Sequence, residues 1–383
     1  MRSLPEDPRE ALMLLSSIVE PGDGDLDDLL EEVGPVGAVE RIWSGDVPDR
    51  LERLTCATVA CTPDPARRAA DLASATAHAG ARVLVPGDAD WPEQLRDLML
   101  VCDADDPHLR PPRCLWVRGE ASLDEVCRRS VSIVGARTAS EYGQHLADDL
   151  AADLAEAGWT IVSGGAFGID RAAHLGSIAR GGPTVSVVAS GVEEPYPLAN
   201  RSMFDLVVEC GLLVSEWPPG ASPMRHRFLT RNRVIAALSA GTVVVEAGAR
   251  SGARNTARHA AELGRVLMFT PGPVTSSHSV GVHQLARGPW EARLVTRAAE
   301  VIEDLTGISG PMAPPPPSHR TPFDSLTEIE ARLVEALPRG YVVDDTRLAC
   351  AAGVPGPTAA ETLERLRAKG WVEQVEGRWR LSR

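Results

Sequence analysis

The chain has 383 residues, of which 44% are hydrophobic and 24% charged, with a formal net charge of -14. That length is more than one ordinary core needs and points to two or three soluble domains, and no apolar run reaches the roughly 18 residues of a membrane span. Seven cysteines at irregular spacing, with no CxxC pair, exclude a disulfide framework and a cysteine zinc site, and the opening MRSLPEDPRE has no secretory character, so the expected compartment is the cytoplasm.

The first elements are helical. PREALMLLSSIV, DLDDLLEEV, VPDRLERLTCATVA and PARRAADLASATAHAG repeat apolar residues at helical spacing, and Asp25 with its acidic neighbours suits a helix start. Residues 1–80 therefore read as a small helical domain, of the SAM-like type, or equally as a cap packed on the next domain. Residues 1–130 hold 26 Asp and Glu against 14 Arg, a net of -12, which makes this part a poor surface for nucleic acid.

From about residue 81 short apolar runs alternate with helices. ARVLVPG and RCLWVRG come first. VSIVGA (131–136), WTIVSGG (159–165), TVSVVAS (184–190), GLLVSE (211–216), GTVVVEA (241–247) and RVLMFTPG (265–272) come next, each separated by a helical segment. Continuously apolar strands mark a parallel sheet covered on both faces, so residues 81–307 are expected to form a doubly wound α/β domain with ligands at the carboxyl ends of its strands. Residues 308–322, ISGPMAPPPPSHRTP, read as a proline-rich linker. Residues 323–383 then give three helices and a hairpin, the layout of a winged helix. Its ten acidic and nine basic residues leave DNA binding and protein contact equally open.

The unusual residues cluster after the strands. Gly135-Ala136-Arg137-Thr138 follows the first core strand, and Ser163-Gly164-Gly165-Ala166-Phe167-Gly168-Ile169-Asp170 follows the next. Such glycines let backbone approach an anion at a helix start, although tight turns without a ligand look the same. Neither GxxxxGK[ST] nor GxGxxG is present, so neither a P-loop nor a dinucleotide fingerprint is expected.

Against the acidic chain, Arg225 to Arg254 holds six arginines and one carboxylate. Arg231, Asn232 and Arg233 fall where a helix is expected to begin, a combination of charged forks and free backbone donors that suits a phosphate diester. The alternative is structural, with the arginines paired to Glu216 or Glu246. Phe228 offers a ring on which a base could stack, or a core residue. Ser251 and Gly252, in the turn after GTVVVEA, are either cap residues or phosphate ligands. Asp170 and His174 lie one helical turn apart without a third ligand at metal spacing, which favours a capping Asp and a packed His, and no metal, cofactor or catalytic residue is expected.

Together these loops resemble the DNA-processing protein A family (DprA/Smf). The shared motifs are Val134-Gly135-Ala136-Arg137, Ser163 to Asp170, Tyr196-Pro197-Leu198-Ala199-Asn200, Ser215 to Gly220, Phe228 to Ser239, Val244 to Gly252, and Pro271-Gly272. The resemblance implies an extended Rossmann-like fold and a cytoplasmic protein without enzymatic activity. It further implies that the protein binds single-stranded DNA, loads the RecA recombinase onto it past single-strand-binding protein during natural transformation, and forms a homodimer away from membranes. It places Arg137, Ser163, Gly164, Gly165, Phe167, Gly168, Phe228, Arg231, Asn232, Arg233, Ser251 and Gly252 on the strand-binding surface. Phe167 and Leu198 stand where the family commonly has basic residues.

Two other readings compete. One is a nucleotide-processing phosphoribohydrolase of the lysine-decarboxylase-like type, in which Glu246 would act, although its PGGxGT motif is missing. The other is a winged-helix regulator with the α/β domain as a ligand sensor.

Overall fold

The computed structural model describes residues 3–102, 109–307, 310–315 and 321–382. It divides into two compact units, residues 1–313 and 314–383.

The first unit opens with helices α1 (Pro8–Ile18), α2 (Gly24–Ser44), α3 (Asp49–Cys61) and α4 (Pro65–His78). Asp23 caps α2, its carboxylate accepting the Leu26 amide at 3.1 Å, two residues ahead of the expected start at Asp25. The aspartate side chain reaches forward to an amide that no helical carbonyl can satisfy. Leu14, Leu26, Val39 and Leu51 close a core among these helices. Met13 and Leu72 pack onward against Trp116 and Phe204 of the adjoining α/β segment.

The central sheet has nine strands in the order β1-β2-β6-β5-β4-β3-β7-β8-β9. They are β1 (Ala81–Leu84), β2 (Leu115–Arg118), β3 (Ser130–Val134), β4 (Thr160–Ser163), β5 (Thr184–Val188), β6 (Leu212–Ser215), β7 (Gly241–Val244), β8 (Val266–Phe269) and β9 (Arg293–Leu294). From β6 to β9 all neighbours are parallel, and β1 and β2 run antiparallel on one edge. This is an extended Rossmann-like sheet in a mixed α/β unit.

Helices α5 (Leu98–Val101), α6 (Leu123–Cys127), α7 (Glu141–Glu156), α8 (Ile169–Ala179), α9 (Arg201–Cys210), α10 (Arg225–Ala237), α11 (Ala253–Glu262), α12 (Val280–Ala286) and α13 (Ala298–Thr306) complete the unit. Helices α7, α8 and α13 bury Leu150, Ala173 and Val301 against one face of the sheet. Helices α10, α11 and α12 bury Ile235, Ala257 and Leu285 against the other. Alternate residues of β3 serve both sides. Val131 and Ile133 face the α7 side, whereas Ser130 and Ser132 donate to the carbonyls of Leu238 and Ile235 at 2.7 and 2.9 Å. Small hydroxyl residues let α10 lie close on the strand while satisfying carbonyls at its last turn.

Chain order reverses between β3 and β7, since β4 follows β3 on one side and β7 joins it on the other. Loops leaving such a switch point in opposite directions open a crevice at the carboxyl ends of the strands.

The second unit contains α14 (Glu328–Ala336), α15 (Asp345–Ala352), α16 (Gly356–Ala368) and a hairpin of β10 (Val372–Val375) and β11 (Arg378–Leu381). Leu333, Leu348, Leu363 and Trp379 form its core. Glu330 closes a capping box with Thr327 and also accepts from Lys369 Nζ at 2.7 Å. Of the proline-rich segment, residues 308–309 and 316–320 lie outside the described residues.

Candidate nucleic-acid interface

The crevice is a cavity of about 660 Å³ at the ends of β3 and β7, continuous in its lining with a groove of about 550 Å³. Arg137, Phe228 and Leu229 line both, and Arg225, His226 and Tyr196 extend the groove. A third, small notch is enclosed by Arg137, Phe167, Tyr196 and Phe228.

Arg137 leaves the β3 loop exposed, with its guanidinium carbon 4.9 Å from the centre of the Phe228 ring. That ring meets Tyr196 edge-on at 5.7 Å. Phe167 and Tyr196 remain 45% and 44% exposed, which leaves ring surface open at the mouth. Arg137, Arg225 and Arg250 are exposed and make no ion pair with another described residue. The mouth thus offers open aromatic faces next to uncompensated cations.

The floor has a different character. Arg231 is buried, and its Nη1 donates to the carbonyls of Gly164, at 2.9 Å, and Val187. Burial lowers its pKa from 12.5 to about 10, with Asp170 opposing the shift and Arg137 adding to it. It stays protonated at neutral pH and lines the crevice together with Asp170, whose carboxyl sits close enough to offset part of its charge without forming an ion pair. Gly164 is glycine because an added Cβ would lie 2.6 Å from the Arg231 guanidinium. Gly168 has φ +76°, and a Cβ there would press to 2.3 Å from the Ala136 carbonyl. Gly168 lets the loop after β4 close on the loop after β3, and Gly164 lets it close on α10.

Several expected site residues serve the scaffold instead. Ser163 is fully buried and donates to the Ile133 carbonyl at 2.6 Å, tying β4 to β3. Gly165 is buried and gives its carbonyl to Asn200 Nδ2 at 2.9 Å. Arg233 is fully buried, its two Nη atoms 2.5 and 2.7 Å from the Glu216 carboxylate and its Nε donating to the Arg110 carbonyl at 2.8 Å. These three are corrections to the sequence reading. Ser163 and Gly165 are used in tying β4 and its loop to neighbouring strands and loops; for Arg233 the reason is helix phase, since α10 starts at Arg225 and the Arg231-Asn232-Arg233 triplet lies in its interior, where the backbone donors are already used. Pro223 just ahead of the helix was the available signal, and it moves Arg225 and His226, which the sequence reading passed over, to the first turn.

Of the remaining residues, Asn232, Ser251 and Gly252 line the cavity with Asp170 and Thr256. Asn232 Nδ2 donates to Asn255 Oδ1 at 3.1 Å, which joins α10 to α11. Asp170 is buried, its carboxyl pKa raised by desolvation against the opposing pull of Arg231, and it accepts the Ala166 amide at 3.4 Å. Gly168, not Asp170, occupies the cap position of α8. His174 is a packed histidine, with Nδ1 2.7 Å from Thr184 Oγ1. Glu246, the base of the hydrolase reading, accepts the Ser140 amide at 2.9 Å and the Ser140 hydroxyl at 2.6 Å, and thereby braces the start of α7. No cluster of metal-ligating side chains occurs among the described residues.

With this geometry in view, the chain matches the family model for DNA recombination-mediator protein A over residues 82–306. The chain belongs to this family. Across 374 residues it is 42% identical to a DNA processing protein DprA of Mycobacterium tuberculosis (strain ATCC 25618 / H37Rv), covering 96% of this chain and 93% of that one. It is 34% identical to protein Smf of Escherichia coli (strain K12) over 268 residues, 70% of this chain and 71% of the relative. The X-ray structure of DNA processing protein A from Streptococcus pneumoniae aligns with a TM-score of 0.57 at 27% identity, covering 79% of this chain and 98% of that one. As a DprA/Smf family member, the chain is a DNA-processing protein. No described helix is long and apolar enough to cross a membrane.

Proposed function

We propose that this DprA/Smf member binds single-stranded DNA without sequence preference along the mouth of the crevice and delivers RecA recombinase to it in the presence of single-strand-binding protein, in recombination or natural transformation. The observation that carries the reading is Arg137 set against Phe228, with Tyr196 and Phe167 exposed beside it. Aromatic faces stack any unpaired base, and unpaired arginines hold the phosphates between them. A duplex, whose bases are already stacked, could use only the cations.

In this reading Arg137, Arg225 and Arg250 contact phosphate, Phe167, Tyr196 and Phe228 contact bases, and Asn232, Ser251 and Gly252 line the inner pocket. Arg231 supplies positive potential from beneath. The chain acts as a homodimer in the cytoplasm and performs no covalent chemistry.

Arg137→Ala should reduce the salt-dependence slope of oligodeoxythymidine binding by about 0.7, the value for one single-strand phosphate contact, with stability within about 0.5 kcal/mol of the parent. An unchanged slope in a fluorescence-anisotropy salt titration removes Arg137 from the strand path. The mediator role is tested by ordered addition. RecA filaments should form on oligonucleotides already coated with single-strand-binding protein only when this protein is present, and failure with strand binding intact refutes that role.

A further inference from the structure

One carboxylate of the N-terminal helical segment reaches the rim of the crevice. Glu20 follows α1, and its Oε2 accepts the Trp217 indole N–H at 2.9 Å. Its Oε1 accepts from Arg227 Nε at 3.1 Å and also from Arg227 Nη2. His226 Nε2 lies 3.7 Å from the same carboxylate. The Arg227 guanidinium sits 5.4 Å over the Trp217 ring and donates to the Ser222 carbonyl at 2.9 Å. Arg227 immediately precedes Phe228 in the first turn of α10, which no side chain caps.

We propose that Glu20 is a positioning residue for the strand-binding rim: through Arg227 and Trp217 it holds the first turn of α10 where Phe228 meets Arg137 and Tyr196. This inference rests on the strand-binding reading. A single exposed ion pair contributes little, because two long side chains must be ordered in water. Here the order already exists. Arg113 donates to the Glu20 carbonyl at 3.2 Å and to the Asp23 carbonyl at 2.9 Å while pairing with Asp27 at 2.5 Å, so the segment bearing Glu20 is fixed before the carboxylate engages. Arg227 is fixed by the Trp217 ring and the Ser222 carbonyl. A carboxylate that satisfies three donors on two elements constrains an otherwise uncapped helix start more than a lone pair does.

The expected outcome is opposite in sign to simple electrostatics. Removing a negative charge beside the groove should strengthen polyanion binding if charge alone matters. If Glu20 positions the rim, Glu20→Ala should weaken it. Full-length Glu20→Ala should bind oligodeoxythymidine about five- to tenfold less tightly, the loss of one charge-assisted hydrogen-bond set, with an unchanged salt slope. Backbone amides of residues 224–229 should exchange faster with deuterium. In an Arg227→Ala background the Glu20 substitution should cost clearly less than it does alone, because only its bond to Trp217 is left to lose. Tighter or equal binding, or unchanged exchange at 224–229, overturns the proposal. A wild-type protein that fails to bind the oligonucleotide overturns the strand-binding reading itself, and the wild-type arm separates the two failures.

Discussion

Arg233 and Arg137 are both invited by the sequence to hold phosphate, and they live in opposite physical settings. Arg233 is fully buried, forked onto Glu216 and a backbone carbonyl. Arg137 stands in solvent with its guanidinium over the Phe228 ring and makes no ion pair with another described residue. A buried guanidinium must be matched by internal acceptors and has nothing left for a ligand, whereas an exposed, unpaired one keeps its donors and exchanges only water on binding. Arg231 lies between these cases, buried on carbonyls but close enough to the crevice to lend it charge.

The contrast is sharpest for Arg233. Arg233→Ala would leave the Glu216 carboxylate buried without its partner and should cost about 3–5 kcal/mol of stability. Urea unfolding should show this as a lower midpoint, while the salt slope of strand binding in the surviving folded fraction stays unchanged. A substantial loss of slope with near-native stability would exchange the roles assigned to Arg233 and Arg137.

Phe228→Ala tests the exposed side. Loss of one stacked base should weaken oligonucleotide binding by about 1–3 kcal/mol, again with no change of slope, because no charge is removed. A flattened slope would mean that Phe228 acts mainly by aiming Arg137, and competition with an abasic oligomer would tell the two apart.

The effect most thinly spread, per unit of pH, concerns a histidine buried behind the crevice. Burial, aided by the Arg231 charge, lowers the His174 pKa from 6.5 to about 3. The folded state therefore keeps the imidazole neutral while the unfolded chain takes up a proton below pH 6.5. Stability from this group is complete above pH 6.5 and is lost as pH falls towards 3, at no more than about 1.4 kcal/mol per pH unit. His174→Gln should make stability less dependent on pH between 6 and 4, and an equally steep profile would locate the acid sensitivity elsewhere.

Much of the architecture could be read from the chain because buried parallel strands leave a strong mark. Ser130–Val134, Thr184–Val188 and Gly241–Val244 are covered on both faces and hold nothing but apolar residues, glycine and small hydroxyls. Their order, with glycine loops behind them, was enough to place a crevice. Apolar runs carry no direction, so the antiparallel setting of Ala81–Leu84 and Leu115–Arg118 was not legible. Arg293–Leu294 is a two-residue, exposed strand without any periodic signal. At the site, Arg137 and Phe228 were legible as chemistry, but Tyr196 joins them only because the loop after β5 folds back beside α10.

The sequence by itself determined that a parallel sheet would present glycine loops and arginines at one edge, since strand patterning and loop chemistry are local properties. Which arginines face the solvent was decided only in three dimensions. Arg233 is silenced by Glu216, 17 residues earlier, and by the carbonyl of Arg110, 123 residues away. Arg137 keeps its charge uncompensated because no carboxylate among the described residues pairs with it. Burial and pairing depend on neighbours brought together by the fold, and side-chain type alone cannot report them.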